Sequence, residues 1–175
     1  IYPIITKIQP KSTIIGWWLF YDPGAKRVPN YNDKYFDKYF QSSVLQNQID
    51  ICALHPYTLW CYIGRNTTEQ FITTLINNIK EFKKKYGNNH PIRITEFWIS
   101  DKRTCFNPSQ QAQIYYQIYQ YTSNNNIPLF LRNITDFRDT RHSRWNPEKY
   151  FGLLDHTYKP KKVLYELKQL LEKNT

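Results

Sequence analysis

The stretch PIRITEFWIS, residues 91–100, begins as an apolar, β-branched run and carries one carboxylate, Glu96, where that run ends. Such a composition, opened by a proline and closed by a serine, predicts a buried β-strand. In folds that combine parallel strands with helices, chemistry takes place where strands end and loops begin. Glu96 is therefore the first candidate for a functional residue, although many strand-end glutamates only cap a helix or pair with an arginine.

Four apolar runs of this kind recur along the chain, and each is followed by a segment with helical spacing of its apolar residues. The predicted strands are residues 13–20, 49–55, 91–97 and 127–134. The predicted helices are residues 31–46, 67–87, 109–122 and a last helix from residue 159 onward. Because alternating strands and helices are typical of βα units around a parallel sheet, the sequence predicts an α/β fold of the form (βα)4.

The spacing of these strands is close to that of a (β/α)8 barrel, which takes about 250 residues. We therefore expect residues 1–175 to form one domain, a parallel (βα)4 half of a TIM barrel. The chain begins with Ile1 and contains no Met, so we expect it to be a fragment of a longer polypeptide. A small open doubly wound sheet is the alternative, but no G-x-G-x-x-G or other glycine-rich phosphate loop follows any strand, and we expect no cofactor.

The net charge of +10 raises the possibility of a nucleic acid or another anionic polymer as partner. The basic residues gather in or at the start of predicted helices, at Lys83, Lys84, Lys85, Lys159, Lys161 and Lys162. Lysines so placed usually form a solvated face, so nucleic-acid binding stays a third hypothesis, which requires one contiguous basic surface. No apolar stretch is long enough to span a membrane.

The cysteines and histidines do not predict a metal site, because no C-x-x-C occurs and the four histidines are far apart. Cys61 and Cys105 fall in successive predicted loops, so one disulfide with Cys52 as a buried thiol is possible, and three reduced thiols are equally so. The sequons at Asn66 and Asn133 permit glycosylation in a secreted protein but arise by chance in an Asn-rich chain. The location stays open, with extracellular slightly favoured.

The alternation of side chains along a strand predicts which residues surround Glu96. It places Ile92 and Ile94 on the same face as Glu96, the face expected to line the barrel interior. The same alternation places His55 on the corresponding face, at the C-terminal end of the preceding predicted strand. We therefore expect His55 and Glu96 to be neighbours above the sheet.

Aromatic residues accompany this pair in the predicted loops. Tyr57 follows His55 in a His-Pro-Tyr turn, Trp98 follows Glu96, and Trp145 lies in the polar loop after the fourth strand. Aromatic rings can stack on the C–H faces of sugars, and a carboxylate beside them can attack an anomeric carbon. These residues predict a carbohydrate site without a metal.

Three segments together resemble a known family. The third strand resembles the P-I-x-I-T-E nucleophile strand of a large clan of retaining (β/α)8 glycoside hydrolases, which includes β-xylosidases, cellulases and β-mannanases. The second strand resembles that clan's D-x-x-x-x-H-P-Y strand. Residues 151–155, FGLLD, followed by the Lys-Pro pair at 159–160, are similar to its last loop. The resemblance runs from about residue 49 to the end of the chain.

The resemblance implies that the four strands are barrel strands five to eight and that Glu96 is the catalytic nucleophile. It implies that His55 and Tyr57 surround the reacting sugar and that Trp145 is the platform beneath it. In this clan the general acid/base is a Glu that follows an Asn at the end of strand four. The sequence contains no Asn-Glu pair, so the chain is expected to supply the nucleophile half and the acid to lie outside it.

Two functions follow as hypotheses. The first is a retaining hydrolase of O-glycosyl bonds in a poly- or oligosaccharide, active once an N-terminal half-barrel is supplied by the same polypeptide, another chain or a second copy related by a twofold axis. The alternative is a non-catalytic carbohydrate-binding or structural assembly protein that retains half of the fold. Whether the chain is an enzyme, and which sugar, linkage and anomer it takes, the sequence leaves open.

Overall fold

The structure is a computed structural model that describes residues 15–20, 50–56, 67–87, 90–99, 106–136, 150 and 152–174, with the backbone alone at 15–20, 85 and 86. Its strands are β1 (Ile15–Phe20), β2 (Ile51–His55), β3 (Ile92–Phe97) and β4 (Leu129–Leu131). They form one sheet in the order β1-β2-β3-β4, and each neighbouring pair is parallel. The prediction of an α/β fold with a parallel sheet is confirmed.

Three helices lie in the described part of the chain: α1 (Thr68–Tyr86), α2 (Pro108–Asn124) and α3 (Lys162–Lys173). The helix predicted over residues 31–46 lies outside that part. Both α1 and α2 begin with a capping box. Thr67 and Gln70 exchange side-chain-to-backbone hydrogen bonds of 3.2 and 2.9 Å, and Asn107 and Gln110 exchange bonds of 3.0 and 2.9 Å. These caps are why the predicted starts of both helices were within two residues of the observed ones.

The hydrophobic core lies between the helices and one face of the sheet. The sheet contributes Cys52, Leu54, Ile92, Ile94 and Phe97. Against them pack apolar side chains from all three helices, among which are Leu75, Ile79, Phe82, Ile114, Ile118, Val163 and Leu167. The spacing of these helical residues gives each helix one apolar stripe, and burying that stripe fixes the helix on the sheet.

An extra residue in β3 changes the direction of its side chains. Ile94 pairs with Leu129 and Phe97 pairs with Leu131, so three steps along β3 match two along β4. Such a bulge breaks the alternation of side chains. Ile94 and Phe97 therefore both face the helical core.

The bulge corrects one sequence-based prediction. Parity placed Ile92 and Ile94 on the face of Glu96, whereas both isoleucines are buried against the helices. Glu96 and Thr95 instead both contact His55. The prediction of the face was wrong because it assumed an unbroken pleat, while the prediction that His55 and Glu96 are neighbours is confirmed.

The fourth strand is shorter than predicted, with three residues where the apolar run 127–134 suggested eight. The chain leaves the ladder after Arg132, whose backbone N–H still donates to the carbonyl of Phe97 at 3.1 Å. Asn133 then takes a left-handed conformation, with φ of 56°, which ends the strand. Thr135 returns to form an isolated parallel bridge with Leu154.

The structure also describes parts of the chain that concern the cysteines, the second sequon and membrane spanning. Cys52 is buried with a free thiol, while Cys61 and Cys105 lie outside the described residues. Asn133 of the second sequon is partly buried, and its side-chain nitrogen is buried. The described part of the chain holds no helix with the length and apolarity that a membrane crossing needs.

Candidate active site

Glu96 stands at the carboxyl end of β3, and its side chain is 15% exposed. Its Oε1 atom accepts a hydrogen bond from Trp98 Nε1 at 3.1 Å. The same oxygen accepts from Arg132 Nη1 at 2.5 Å, so a guanidinium and an indole converge on one carboxylate oxygen. Charge-assisted hydrogen bonds of this kind are among the strong ones in proteins.

Arg132 is a site residue that sequence reasoning missed. It directly follows β4, and its backbone bond to Phe97 continues the β3–β4 ladder, so the sheet itself brings its side chain beside Glu96. The available signal was one arginine, directly before Asn133, inside a mostly apolar predicted strand. The strand register that brings its side chain to Glu96 cannot be read from the sequence.

His55 lies at the carboxyl end of β2 and is buried. Its Nδ1 atom is 3.7 Å from Glu96 Oε2, and its Nε2 atom is 3.1 Å from Thr95 Oγ1. Burial lowers the pKa of His55 below its ordinary value near 6.5; the Glu96 carboxylate opposes this shift and the Arg132 guanidinium adds to it. Because the net shift is downward, the ring is neutral at pH 7 and its contact with Glu96 is not an ion pair there.

The structure thus brings together three of the residues predicted for the site: Glu96, His55 and Trp98. Trp98 is partly buried, and its indole N–H is directed at the carboxylate rather than into solvent. Tyr57 and Trp145 lie outside the described residues. Within the described residues, no group of three or more His, Cys, Asp and Glu side chains has an arrangement that could hold a metal ion.

A second polar cluster lies beyond β4 and ties the end of the chain to the sheet. Asp136 accepts from Lys161 Nζ at 2.9 Å and from the backbone N–H of Gly152 at 2.8 Å. Lys161 Nζ also donates to the carbonyl of Tyr150 at 3.4 Å. Asp136, which follows β4 in the chain, is therefore engaged in holding this loop.

The FGLLD segment ends in a turn organised by Asp155. Its Oδ1 atom accepts from the Thr157 backbone and hydroxyl at 2.7 and 2.6 Å and from the Lys159 backbone at 3.0 Å. The hydrogen bond from the Thr157 side chain is the largest of the causes that lower the pKa of Asp155. The turn sets the chain direction that leads into α3.

The arrangement around Glu96 has a definite chemical capacity. A carboxylate at the end of a parallel strand is held by a cation and an indole on one oxygen, and a neutral imidazole lies near the other oxygen. The Glu96 carboxylate can therefore act as a nucleophile or as an electrostatic stabiliser of a cationic transition state.

The solved structures that resemble the chain include β-glucuronidases and an endo-laminarinase. The β-glucuronidase of Faecalibacterium prausnitzii matches with a TM-score of 0.54 and 15% identity, over 78% of this chain and 24% of that one. Ruminococcus gnavus β-glucuronidase matches with 0.54 and 17%, over 74% and 23%. An endo-laminarinase from Formosa Hel1_33_131 matches with 0.54 and 18%, over 79% and 44%. At such identities the likeness concerns the fold, and this chain spans less than half the length of each of these proteins.

A comparison with curated protein sequences gave no match. A family model described as "Glycosyl hydrolase catalytic core" matches residues 5–128, which include β1, β2, β3, α1 and α2. The match covers more than half of the 175 residues and contains Glu96 and His55. The chain belongs to the glycosyl hydrolase catalytic core family.

Proposed function

We propose that this chain is the nucleophile-bearing part of a retaining glycoside hydrolase that cleaves O-glycosyl bonds of a poly- or oligosaccharide. The observation that carries the proposal is the position of Glu96, a mostly buried carboxylate at the carboxyl end of a central parallel strand, with one oxygen held by Arg132 and Trp98. Membership of the glycosyl hydrolase catalytic core family supports a carbohydrate substrate.

In this proposal, Glu96 attacks the anomeric carbon while a second carboxylic acid protonates the leaving oxygen, and water then cleaves the glycosyl ester. A retaining mechanism requires the second carboxyl at about 5 to 5.5 Å from the nucleophile. Asp136, the acidic residue that follows β4, is already bound to Lys161 and Gly152. Because the sequence also lacks the Asn-Glu pair that carries the acid in the clan it resembles, we propose that the general acid/base lies outside residues 1–175, on a segment that completes the site.

The remaining site residues receive roles that follow from their chemistry. We propose that neutral His55, whose Nδ1 atom is 3.7 Å from Glu96 Oε2 and whose Nε2 atom contacts Thr95, uses Nδ1 to hydrogen-bond a hydroxyl of the reacting sugar. The indole ring of Trp98 offers a face for stacking although its N–H is engaged. Tyr57 and Trp145 are proposed as further sugar contacts on the resemblance of their motifs alone.

The exposed end of the sheet supports a half-barrel, and we propose from the resemblance of the motifs alone that these strands are barrel strands five to eight. In the described part of the chain β4 is an edge strand, and Phe130 is 51% exposed and Ile134 is 70% exposed beside it. An apolar sheet edge of this kind is a template for pairing with further strands. We propose that an N-terminal half-barrel, from the same polypeptide, another chain or a second copy, covers it.

Covalent trapping in the intact protein tests the proposal. Activated 2-deoxy-2-fluoro glycosides form a slowly hydrolysed ester with the nucleophile of a retaining enzyme, and peptide mass spectrometry then locates the sugar. A panel of aryl β-glucuronide, β-glucoside, β-xyloside and β-mannoside probes avoids assuming the sugar. We expect the adduct on Glu96 and a loss of turnover in Glu96→Gln.

The matched control is Glu81→Gln, which changes an exposed carboxylate of α1 and should leave turnover intact. Full activity in Glu96→Gln, or an adduct on another residue, contradicts the assignment of Glu96. Binding of a polysaccharide without any turnover by the intact protein would favour the non-catalytic alternative.

A further inference from the structure

Two donors from different parts of the fold meet on one oxygen of Glu96. Trp98 Nε1 belongs to the segment that follows β3, whereas Arg132 Nη1 comes from the residue that follows β4. His55 is on the side of the other oxygen, Oε2. The carboxylate is therefore oriented by contacts that distinguish its two oxygens.

We propose that Arg132 is a positioning residue that anchors Glu96 through Oε1, presents Oε2 to the anomeric carbon, and speeds the breakdown of the glycosyl-enzyme. The inference rests on the proposed function, because it assigns a role to Arg132 only if Glu96 is the nucleophile.

The orientation of the Glu96 carboxylate follows from the geometry of its hydrogen bonds. A carboxylate that rotates about its last side-chain bond offers either oxygen, and much of its population is then misaligned for attack. Two hydrogen bonds on Oε1 restrict that rotation, which is the kind of pre-alignment that reduces a reaction barrier. Oε2 becomes the ester oxygen, and Oε1 remains an acceptor for both donors as the carbonyl oxygen of the ester.

The effect of Arg132 on the breakdown of the glycosyl-enzyme follows from the change in charge on Glu96. In the first step the Oε2–C1 bond forms, the bond from C1 to the leaving oxygen breaks, and the general acid gives that oxygen its proton. Glu96 then carries no charge, and the Arg132 guanidinium has lost its counter-ion. In the second step water attacks C1 and gives its proton to the general base, the Oε2–C1 bond breaks, and the electron pair returns to Glu96. Arg132 stabilises this product carboxylate and so lowers the barrier to its release.

The side chain of Arg132 can be changed without opening the core. Its backbone is held by the bond to Phe97, and 34% of its side chain is exposed. Arg132→Met and Arg132→Lys should therefore fold, and thermal unfolding checks that they do. Arg93→Met is the matched control, because Arg93 is an arginine near the opposite end of β3.

The experiment measures steady-state and burst kinetics of the intact protein with dinitrophenyl glycosides, whose good leaving group makes the second step limiting. For Arg132→Met we expect kcat to fall roughly tenfold to a hundredfold, as the loss of a charge-assisted bond implies, and KM to fall with it. A burst of phenolate and an accumulated glycosyl-enzyme by intact mass should accompany this change. Arg132→Lys should be intermediate, added guanidinium should restore part of kcat in Arg132→Met, and Arg93→Met should behave as wild type.

Reactivation of the 2-fluoroglycosyl-enzyme separates this inference from the proposed function. If Glu96 of the wild type is never labelled, the proposed function fails. If Glu96 is labelled and Arg132→Met reactivates as fast as wild type, only the role of Arg132 is overturned. A kcat above wild type in Arg132→Met also overturns the role of Arg132, because Arg132 would then slow the reaction of the nucleophile.

Discussion

Gly152 and Asp136 are in backbone contact across the end of the sheet. The N–H of Gly152 donates to Asp136 Oδ1 at 2.8 Å, and a Cβ atom on Gly152 would lie 2.3 Å from the backbone nitrogen of Asp136. That separation leaves room for no side chain at position 152. The contact joins the FGLLD segment to the chain that leaves β4.

Gly152→Ala should destabilise the protein by about 1 to 3 kcal/mol, because the added methyl group meets backbone atoms that have to shift. Urea unfolding of the intact protein measures the change. Ser123→Ala, at an exposed position of α2, is the control and should stay within about 0.5 kcal/mol of wild type. Equal stability of the two variants would contradict the contact.

Lys161→Met should cost about 3 kcal/mol, because it leaves the Asp136 carboxylate largely buried without its counter-ion. The two side chains are only 12% and 10% exposed, so solvent replaces little of the lost interaction. Lys162→Met is the neighbouring control, with an exposed side chain and a 3.9 Å contact to Glu166.

Adding Asp136→Asn to Lys161→Met should recover part of this loss, since the double variant no longer buries an unpaired charge. The coupling in the double-mutant cycle is the quantity to measure. Additive effects of the two substitutions would show that the pair does not stabilise the loop.

The lowered pKa of His55 predicts a stability that depends on pH. Above the ordinary value near 6.5 the ring is neutral in both the folded and the unfolded chain, and its contribution is constant. As the pH falls from there toward the lower pKa of the folded state, the unfolded chain takes up the proton first, and stability is lost. His55→Gln should remove this part of the loss, measured as the difference in unfolding midpoint between pH 7.5 and 5.5. An equal loss in wild type and His55→Gln would refute it.

The thiol of Cys52 should be inert in the folded protein. Burial raises its pKa to about 12, so almost no thiolate exists at pH 8, and the thiol is also shielded from reagents. Iodoacetamide followed by peptide mass spectrometry should label Cys52 only after unfolding in denaturant. Rapid labelling of the native protein would contradict its placement in the core.

The proposed continuation of the sheet beyond β4 is open to a direct test. Phe130→Asp in the intact protein should lower the melting temperature markedly, because strands that cover the β4 edge would bury the new charge. Tyr165→Asp, at a 56% exposed position of α3, is the control. Similar small effects of both substitutions would mean that Phe130 faces solvent and that no half-barrel covers it.

The elements that the sequence predicted well are those fixed by local chemistry. The caps at Thr67 and Asn107 are formed by residues three apart in the chain, so they can be read without knowing the rest of the fold. The β-branched runs of β2 and β3 likewise identified strands within two residues of their observed ends.

The features that the sequence predicted poorly depend on contacts between strands. The bulge in β3 arises from its pairing with β4, and the partnership of Arg132 with Glu96 follows from the same register. The position of His55 beside Glu96 was predicted correctly, although the reasoning assumed an unbroken alternation that β3 does not have.

The extra residue in β3 makes the site more sensitive to insertions and deletions than to substitutions. Removing Thr95 would abolish the bulge and the hydroxyl that contacts His55 Nε2, and Glu96 would then have to take its place in a regular pleat between Ile94 and Phe97. Evolution can vary the side chains around such a site, but it has to conserve the number of residues. An alignment of relatives that opens a gap within this strand would for that reason identify proteins in which the carboxylate is positioned differently relative to His55 and Arg132.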